Sequence, residues 1–249
     1  MHIKDAVITR MSYLRRPAKR KLINWARRLE KRKGLEIGGP SSLFSLKGYF
    51  PVYLYAGAID GVNFSTETLW EGSLQEGNNY RWHRKTGYQY IREATDLAGI
   101  ADESYDVVLS CHSLEHVANP LKALYEWKRV LKPGGILVLV LPDKRYTFDV
   151  NRPYTTMAHL LDDYRNNTGE NDTTHFEEIV RCFAPDKNPH LSSREELAAR
   201  LKQNFTERSV HHHVFSQELV KELMQHLSFT TLYQQEAAPF HLITIAEKK

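Results

Sequence analysis

Cysteine is scarce in this chain, at two residues in 249. Cys111 and Cys182 cannot build a disulfide framework, and a reducing cytoplasm is the expected location. No apolar run approaches the roughly 20 residues a membrane-spanning helix needs. The opening stretch MHIKDAVITRMSYLRR has neither an uninterrupted apolar core nor a small-residue cleavage site, so no secretory leader is expected. Internal repeats and low-complexity linkers are missing too, which excludes a repeat array.

The remaining composition, 41% hydrophobic and 26% charged, is that of a soluble globular protein. A chain of this length can bury one good core, and one domain is expected. Its parts are a basic N-terminal helix (1–33), an α/β core (34–142), an insertion (143–213) and a closing helix with two strands (214–249).

The net charge of +4 hides an uneven distribution. Residues 10–33 hold eleven lysines and arginines against Glu30 alone. Leu22, Ile23, Trp25, Ala26 and Leu29 interrupt them at helical spacing, which predicts a basic amphipathic helix. Two readings stay open. The helix either covers the domain with its charges solvated, or meets phosphates, an anionic membrane face or a polyanionic substrate.

Further along, Gly34-Leu35-Glu36-Ile37-Gly38-Gly39-Pro40 reads as a short strand ending in a glycine turn. Pro40 and the serines behind it suit a helix start. Strands are predicted to end near Ser65, to cover 88–91, and to run through Tyr105-Asp106-Val107-Val108-Leu109-Ser110. Residues 121–131 have a broad apolar helical face and stop at Lys132-Pro133-Gly134-Gly135. Ile136-Leu137-Val138-Leu139-Val140-Leu141 is apolar at every position, as a strand buried on both faces must be. Strand, helix and strand at this spacing make a right-handed crossover in a parallel sheet. Residues 142–210 turn polar and aromatic and predict a helical insertion over the carboxyl edge of that sheet. A helix at 215–227 and antiparallel strands near 229–235 and 241–246 close it.

The order of Leu35-Glu36-Ile37-Gly38-Gly39, Gly61-Val62-Asn63-Phe64-Ser65, Glu93-Ala94-Thr95-Asp96-Leu97, Ser104-Tyr105-Asp106-Val107-Val108, Leu114-Glu115-His116-Val117 and Arg129-Val130-Leu131-Lys132-Pro133-Gly134-Gly135 resembles the Rossmann-like S-adenosylmethionine-dependent methyltransferases. It is most similar to the branch called methyltransferase type 11, over residues 34–142. The resemblance implies a doubly wound, mostly parallel seven-stranded sheet with an antiparallel last strand. It also implies S-adenosylmethionine as cofactor. Glu36 matches the family's acidic residue near the cofactor's amino group, and Gly38 and Gly39 leave room for backbone approach. Glu93, with the backbone of Ala94 and Thr95, matches the adenine side, and Ser110 and Cys111 border the reactive sulfur.

Two departures stand out. Glu36-Ile37-Gly38-Gly39-Pro40-Ser41-Ser42 keeps only the first glycine of the family's loop. Asn63 replaces the aspartate that binds the ribose hydroxyls, and its amide oxygen can still accept, without charge assistance. Asn63→Asp is therefore expected to leave or improve cofactor affinity.

Methyl transfer from a sulfonium depends first on holding acceptor and methyl in line, worth up to about 7–11 kcal/mol. A general base adds about 10²–10⁴-fold. The base candidates are His112, His116, His212 and Asp143. Acceptor contacts are expected from Lys144, Arg145, Tyr146, Arg152, His211 and His213. In an extended segment His211 and His213 share one face and His212 the other, so the three cannot easily ligate one ion, and no metal is expected.

Ser110-Cys111-His112-Ser113 lacks the Pro-Pro-aromatic run of amino-group base methylases, so base-specific nucleic acid is not expected as a partner. The Leu-Pro-Asp-Lys-Arg-Tyr-Thr-Phe-Asp run and the later His-His-His-Val-Phe are similar to bacterial methyltransferases found with polysaccharide-assembly enzymes. That resemblance implies a small-molecule or glycan acceptor, preferably a sugar hydroxyl. Three alternatives are weighed. A nicotinamide dehydrogenase would want a fuller glycine fingerprint. A non-catalytic methyltransferase-like domain would use residues 10–33 to meet nucleic acid or an anionic membrane, peripheral to the inner face. A nucleophilic role for Cys111 would want Pro-Cys.

Overall fold

The computed structural model describes residues 17–188 and 191–249, so the first part of the expected basic segment lies outside the described residues. The helices are α1 (Pro17–Arg28), α2 (Val52–Tyr55), α3 (Pro120–Val130), α4 (Met157–Arg165), α5 (Phe176–Cys182), α6 (Arg194–Leu201), α7 (Asn204–Glu207) and α8 (Gln217–His226). The strands are β1 (Lys33–Ile37), β2 (Ala58–Asn63), β3 (Glu67–Thr68), β4 (Gly72–Ser73), β5 (Gly77–Trp82), β6 (Lys85–Ile91), β7 (Tyr105–Cys111), β8 (Leu131–Pro142), β9 (Phe229–Ala237) and β10 (His241–Lys248).

Eight strands form one sheet in the order β5-β6-β2-β1-β7-β8-β10-β9. The pairs from β6 through β8 are parallel, and β10 is antiparallel to both β8 and β9. This is the Rossmann-like doubly wound plan, with one strand beyond the seven expected. The extra strand, β5, is an edge strand antiparallel to β6. Trp82 pairs with Lys85 across a two-residue turn in which His83 takes a φ of 50°. That turn carries none of the Asn-Gly or Asp-Gly signal that marks a hairpin in sequence. β8 starts earlier than the apolar run implied, because Leu131 pairs with Tyr105 and residues 132–135, with Gly134 at a φ of 70°, bulge out before pairing resumes at Ile136 opposite Val107.

Alternation along the central strands feeds two hydrophobic layers. Val108, Leu137, Leu139 and Leu141 pack with Leu121, Leu124 and Trp127 of α3 and Leu219, Leu223 and Met224 of α8. Val107, Leu109, Val138 and Val140 point the other way, onto Leu22 and Ala26 of α1, Phe44, Phe50 and Tyr53. α1 thus buries its apolar side while Lys21, Arg27 and Arg28 face outward, so over 17–28 the basic helix is a cover on the sheet. Side-chain caps start several helices: Asn119 accepts from Lys122 N, Thr156 from His159 N, Ser193 from Glu196 N and Ser216 from Leu219 N. Ser41 caps only a single 3-10 turn, Ser42–Phe44, and Pro40 lies before the cap, so the helix expected there does not form.

The insertion is helical, as expected, and has its own small core of Ile179, Phe183, Leu197, Leu201 and Val210. Among the described residues, no helix is long and apolar enough to cross a membrane.

Gly61 in β2 decides how the edge of the sheet meets the loop after β1. A Cβ there would lie 2.1 Å from the Tyr80 ring, so only glycine lets that ring cross β2. The Tyr80 hydroxyl then reaches Glu36 Oε2 at 2.7 Å. Gly61→Ala should displace Tyr80 and lower stability by about 1–3 kcal/mol, the range for overpacking a filled core. A urea denaturation midpoint unchanged from wild type would contradict this.

Candidate functional site

The carboxyl ends of four adjacent strands, β6, β2, β1 and β7, open into one cavity of about 540 Å³. From β6 come Arg92, Glu93 and Ala94, from β2 Asn63 and Phe64, from β1 Gly38, and from β7 Cys111, His112 and Ser113. The hairpin β3–β4 adds Leu69, Trp70 and Glu71. The insertion covers the opening with Arg200, Glu207, Arg208 and Ser209. This is the switch-point location where open α/β sheets bind ligands.

The floor is set by a buried carboxylate. Glu36 is fully buried, and its oxygens accept from Ser41 N (2.9 Å), the Tyr53 hydroxyl (2.6 Å) and the Tyr80 hydroxyl (2.7 Å). It therefore lies beneath the loop and does not line the cavity. Gly39 packs directly over it, since a Cβ would come within 2.4 Å of the carboxyl carbon. Gly38 has a φ of 75° and donates its N–H to Val62 O at 2.8 Å. A Cβ on Gly38 would meet Ser113 Oγ at 2.4 Å.

Asn63 does different work from the aspartate it replaces. Its Nδ2 donates to Gly39 O at 3.0 Å, and its Oδ1 accepts from Trp70 Nε1 at 3.2 Å. The amide ties the glycine turn to the β3–β4 hairpin. An aspartate cannot donate, and would set a carboxylate against a carbonyl oxygen. The expectation that Asn63→Asp leaves or improves affinity is reversed by this geometry.

Arg208 could not be anticipated from local pattern. It sits in the left-handed region, pairs with Glu93 (2.8 Å) and Glu170 (2.5 Å), and lies 4.9 Å over the Phe64 ring. Its place depends on α7 folding back over the sheet 115 residues after Glu93.

His112 stands at the end of β7 with a φ of 53°. Its Nε2 is 2.9 Å from His241 Nδ1. Burial, then the neighbouring histidines His241 and His211, push its pKa down to about 3, so it is neutral near pH 7. His116 donates Nδ1–H to Val210 O at 2.9 Å, which leaves the lone pair on Nε2. Cys111 is driven up to about 12, chiefly by burial, and is a neutral thiol in the wall.

A second cavity of about 430 Å³ shares Ser41, Ser42, Cys111 and His112 with the first. Its other walls are Lys19 of α1, Lys47, Gly48 and Tyr49, and the β9–β10 connection with Phe240 and His241. Lys19 Nζ donates to Gly48 O at 2.7 Å and stiffens that loop. No sequence motif marked these residues.

The structure brings together Gly38, Asn63, Glu93, Ala94, Cys111, His112 and His116 as cavity walls. Glu36 and Gly39 shape the floor. Ser110 is wholly buried within β7, and Thr95 is not part of either wall. Neither the expected acceptor contacts Lys144, Arg145, Tyr146, Arg152, His211 and His213 nor the base candidates Asp143 and His212 line either cavity, which corrects both expectations. Arg152 is 2% exposed and is consumed by Asp149 and Glu178 (both 2.9 Å) and by the carbonyls of His211 (2.8 Å) and His212 (3.0 Å). Arg145 spans Asp143 and Glu236, and Lys144 donates to Arg152 O. Tyr146 is mostly exposed.

His211 is held by Asp149 Oδ2 at 2.5 Å, and His212 is completely buried with Nε2 3.3 Å from Asn204 Nδ2. The catalytic expectation for His212 and Asp143 therefore falls. Sequence order put these residues near the ligand edge, but their partners turn them inward.

Residues 47–139 match the family described as methyltransferase domain. A probable methyltransferase, ltbC, of Aspergillus luteorubrus is 33% identical over 35% of this chain and 33% of its own length. A ubiquinone biosynthesis O-methyltransferase of Cereibacter sphaeroides is 51% identical over 18% of each chain. The chain thus spans a third or less of the curated relatives it matches. Among solved structures, a SAM-dependent methyltransferase from Methanosarcina mazei superposes with a TM-score of 0.48 at 18% identity, over 88% of this chain and 93% of its own.

Glu36 makes the site sensitive to pH. Burial lifts its pKa from 4.5 to about 7, against the lowering effect of its hydrogen bonds from Tyr53, Tyr80 and Ser41. The folded chain then holds this proton more tightly than the unfolded chain. The resulting stability is full below pH 4.5 and is lost as pH rises through about 7, a swing on the order of 3 kcal/mol. Relative to Glu36→Gln, wild type should lose thermal stability across that window. A difference in melting temperature that stays flat with pH would reject the assignment.

Proposed function

We propose, from the premise that this chain carries an S-adenosylmethionine-dependent methyltransferase domain, that it methylates a hydroxyl of a small polar or glycan acceptor, most simply a sugar. The observation that carries the reading is the common wall of the two cavities, Ser41, Ser42, Cys111 and His112.

The larger cavity fits the cofactor. Val62, Phe64, Leu69, Trp70, Ala94 and Val117 form apolar and aromatic walls suited to an adenosyl group. Gly38 keeps backbone open where a Cβ would fill the cradle, and Ser41, Ser42 and Ser113 add polar groups on the β1–β7 side. Of the carboxylates in the wall, Glu93 and Glu207 are paired with Arg208 and Arg200, and Glu71 faces the space where ribose hydroxyls or ring amino groups would lie. When bound, S-adenosylmethionine supplies an electrophilic methyl on a sulfonium whose departure leaves a neutral thioether.

The residues of the chain position and dry this reaction. Arg208, clamped by Glu93 and Glu170 over Phe64, closes the donor cavity from the insertion side and limits water. The smaller cavity receives the acceptor between Tyr49 and Phe240, whose rings suit a sugar face, with Lys47 for a phosphate or carboxylate. His112 stays neutral and takes the hydroxyl proton as it is released, with His241 behind it. Cys111 has no nucleophilic part, because burial keeps its thiol protonated. The O-methyltransferase name of one relative agrees with a hydroxyl acceptor.

Calorimetry with S-adenosylmethionine and S-adenosylhomocysteine tests the donor site, and labelled-methyl transfer to monosaccharides, sugar phosphates and phenols tests the acceptor. Stoichiometric cofactor uptake with transfer to a sugar is expected; uptake with transfer only to phenols would overturn the acceptor class. His112→Ala should lower kcat by about 10²–10⁴-fold, with cofactor affinity nearly unchanged. Asn63→Asp should weaken cofactor binding by about 1–3 kcal/mol, the cost of stranding the Gly39 carbonyl. Tighter binding would show that the amide tether to Gly39 is dispensable.

A further inference from the structure

The insertion contains a cluster that methyl transfer does not use. On α4, His159 and Asp163 stand one turn apart on the same face. His175, at the start of α5, turns its Nε2 to within 3.1 Å of His159 Nε2. Asp163 Oδ2 lies 3.4 Å from His159 Nε2 and 3.7 Å from His213 Nε2. Ligand nitrogens of His159, His175 and His213 all fall within 4.8 Å of one another.

Two features of this cluster are hard to explain by hydrogen bonding. Asp163 is 8% exposed, yet its Oδ2 is buried and has no hydrogen-bond partner. A buried carboxylate oxygen without a donor is costly and calls for a positive charge. His213 is 1% exposed, with Nε2 bonded to Ala118 O at 3.1 Å and Nδ1 unpartnered. If Nε2 carries the proton, the Nδ1 lone pair is left without a donor.

We infer that His159, Asp163, His175 and His213 form a binding site for one divalent zinc-type ion that ties α4, the start of α5 and the 210–213 segment of the insertion together. Four tetrahedral ligands at bond lengths of about 2.0–2.1 Å stand roughly 3.3 Å apart; His159–His175 at 3.1 Å and His159–Asp163 at 3.4 Å match that figure, and His213 completes the set with its unpartnered Nδ1. Three imidazoles and one carboxylate make a closed set of structural type, in which the ion needs no open position. The outer partners also fit. Thr168 Oγ1 donates to Asp163 Oδ1 at 3.1 Å, and the carbonyl of Ala118 orients the His213 ring.

The site joins α4, the start of α5 and the 210–213 segment. That segment also supplies Val210 O to His116, and the carbonyls of His211 and His212 to Arg152. A metal here therefore stiffens one wall of the donor cavity without touching a reactant. The triple histidine divides its labour: His211 turns to Asp149 and His213 to the ion.

The test uses the full-length chain stripped with chelator and dialysed against Zn²⁺ alone or Co²⁺ alone. One equivalent of zinc by elemental analysis, a raised melting temperature and the intense visible bands of tetrahedral Co²⁺ are expected. Asp163→Asn and His159→Asn should abolish the bands, and Thr168→Val should weaken zinc binding by about 10–100-fold. His226→Asn, on α8, serves as control and should bind as wild type. Folded wild-type protein that takes up no metal, or gives only an octahedral Co²⁺ spectrum, overturns the proposal. So does unchanged binding in folded Asp163→Asn. Should the ligand variants not fold, three paramagnetically shifted imidazole signals in Co²⁺-loaded wild type would carry the assignment, and their absence would refute it.

Discussion

One carboxylate without access to water sets the path of the loop on which the donor cavity rests. Glu36 would be intolerable at the end of a buried strand without partners. Tyr53 of α2, Tyr80 of β5 and the Ser41 N–H supply them. Because Ser41 is held from below, Gly38 and Gly39 pass over the carboxyl group in a fixed turn. Asn63 then grips that turn from the neighbouring strand. This explains how the loop keeps its course with only the first glycine of the family pattern. Side-chain hydrogen bonds hold what a run of glycines shapes elsewhere. It also explains the extra edge strand, since β5 exists to deliver Tyr80 across Gly61.

A second dependence runs through the insertion. Arg152 is buried and joins the carbonyls of His211 and His212 to Asp149 and Glu178, so the polar segment after β8 becomes an internal strut. Glu115 is wholly buried, with neither carboxylate oxygen hydrogen-bonded, His112 and His116 3.8 and 3.9 Å from Oε1, and a pKa raised by burial to about 7. Its backbone carbonyl accepts from His212 N at 2.8 Å and so fastens the segment to the first turn after β7. The histidine-rich stretch thus acts as a latch. It places Arg208 over Phe64 and Val210 against His116, both at the donor cavity.

The legible parts of this chain were those whose signal is local. The all-apolar run 136–141, the β-branched strand before it and the helix between them could only be a crossover in a buried parallel sheet. Gly38, Asn63 and Glu93 were legible because their motifs resemble those of a known family, and His112 because it stands at the carboxyl end of a clear strand. β5 left no clear signal because only Tyr80-Arg81-Trp82 alternate, too short a run to mark a strand, and His83-Arg84 at its turn lack turn chemistry. Arg152 and Lys144 were misplaced for a different reason. A charged residue next to a ligand edge looks like a contact, and only its partners, far away in sequence, show that it is already occupied.

Sequence alone determined the fold class, the helical character of the insertion and the sheet edge on which the larger cavity lies. Those follow from periodicity and from short motifs, which act over a few residues. Tertiary structure decided which charged and histidine side chains face the cavities, because that depends on long-range pairing. Glu93 meets Arg208 across 115 positions, His112 meets His241 across 129, and His159 meets His213 only after the insertion folds back. A buried polar group takes whichever partner satisfies it, and no local pattern encodes that choice.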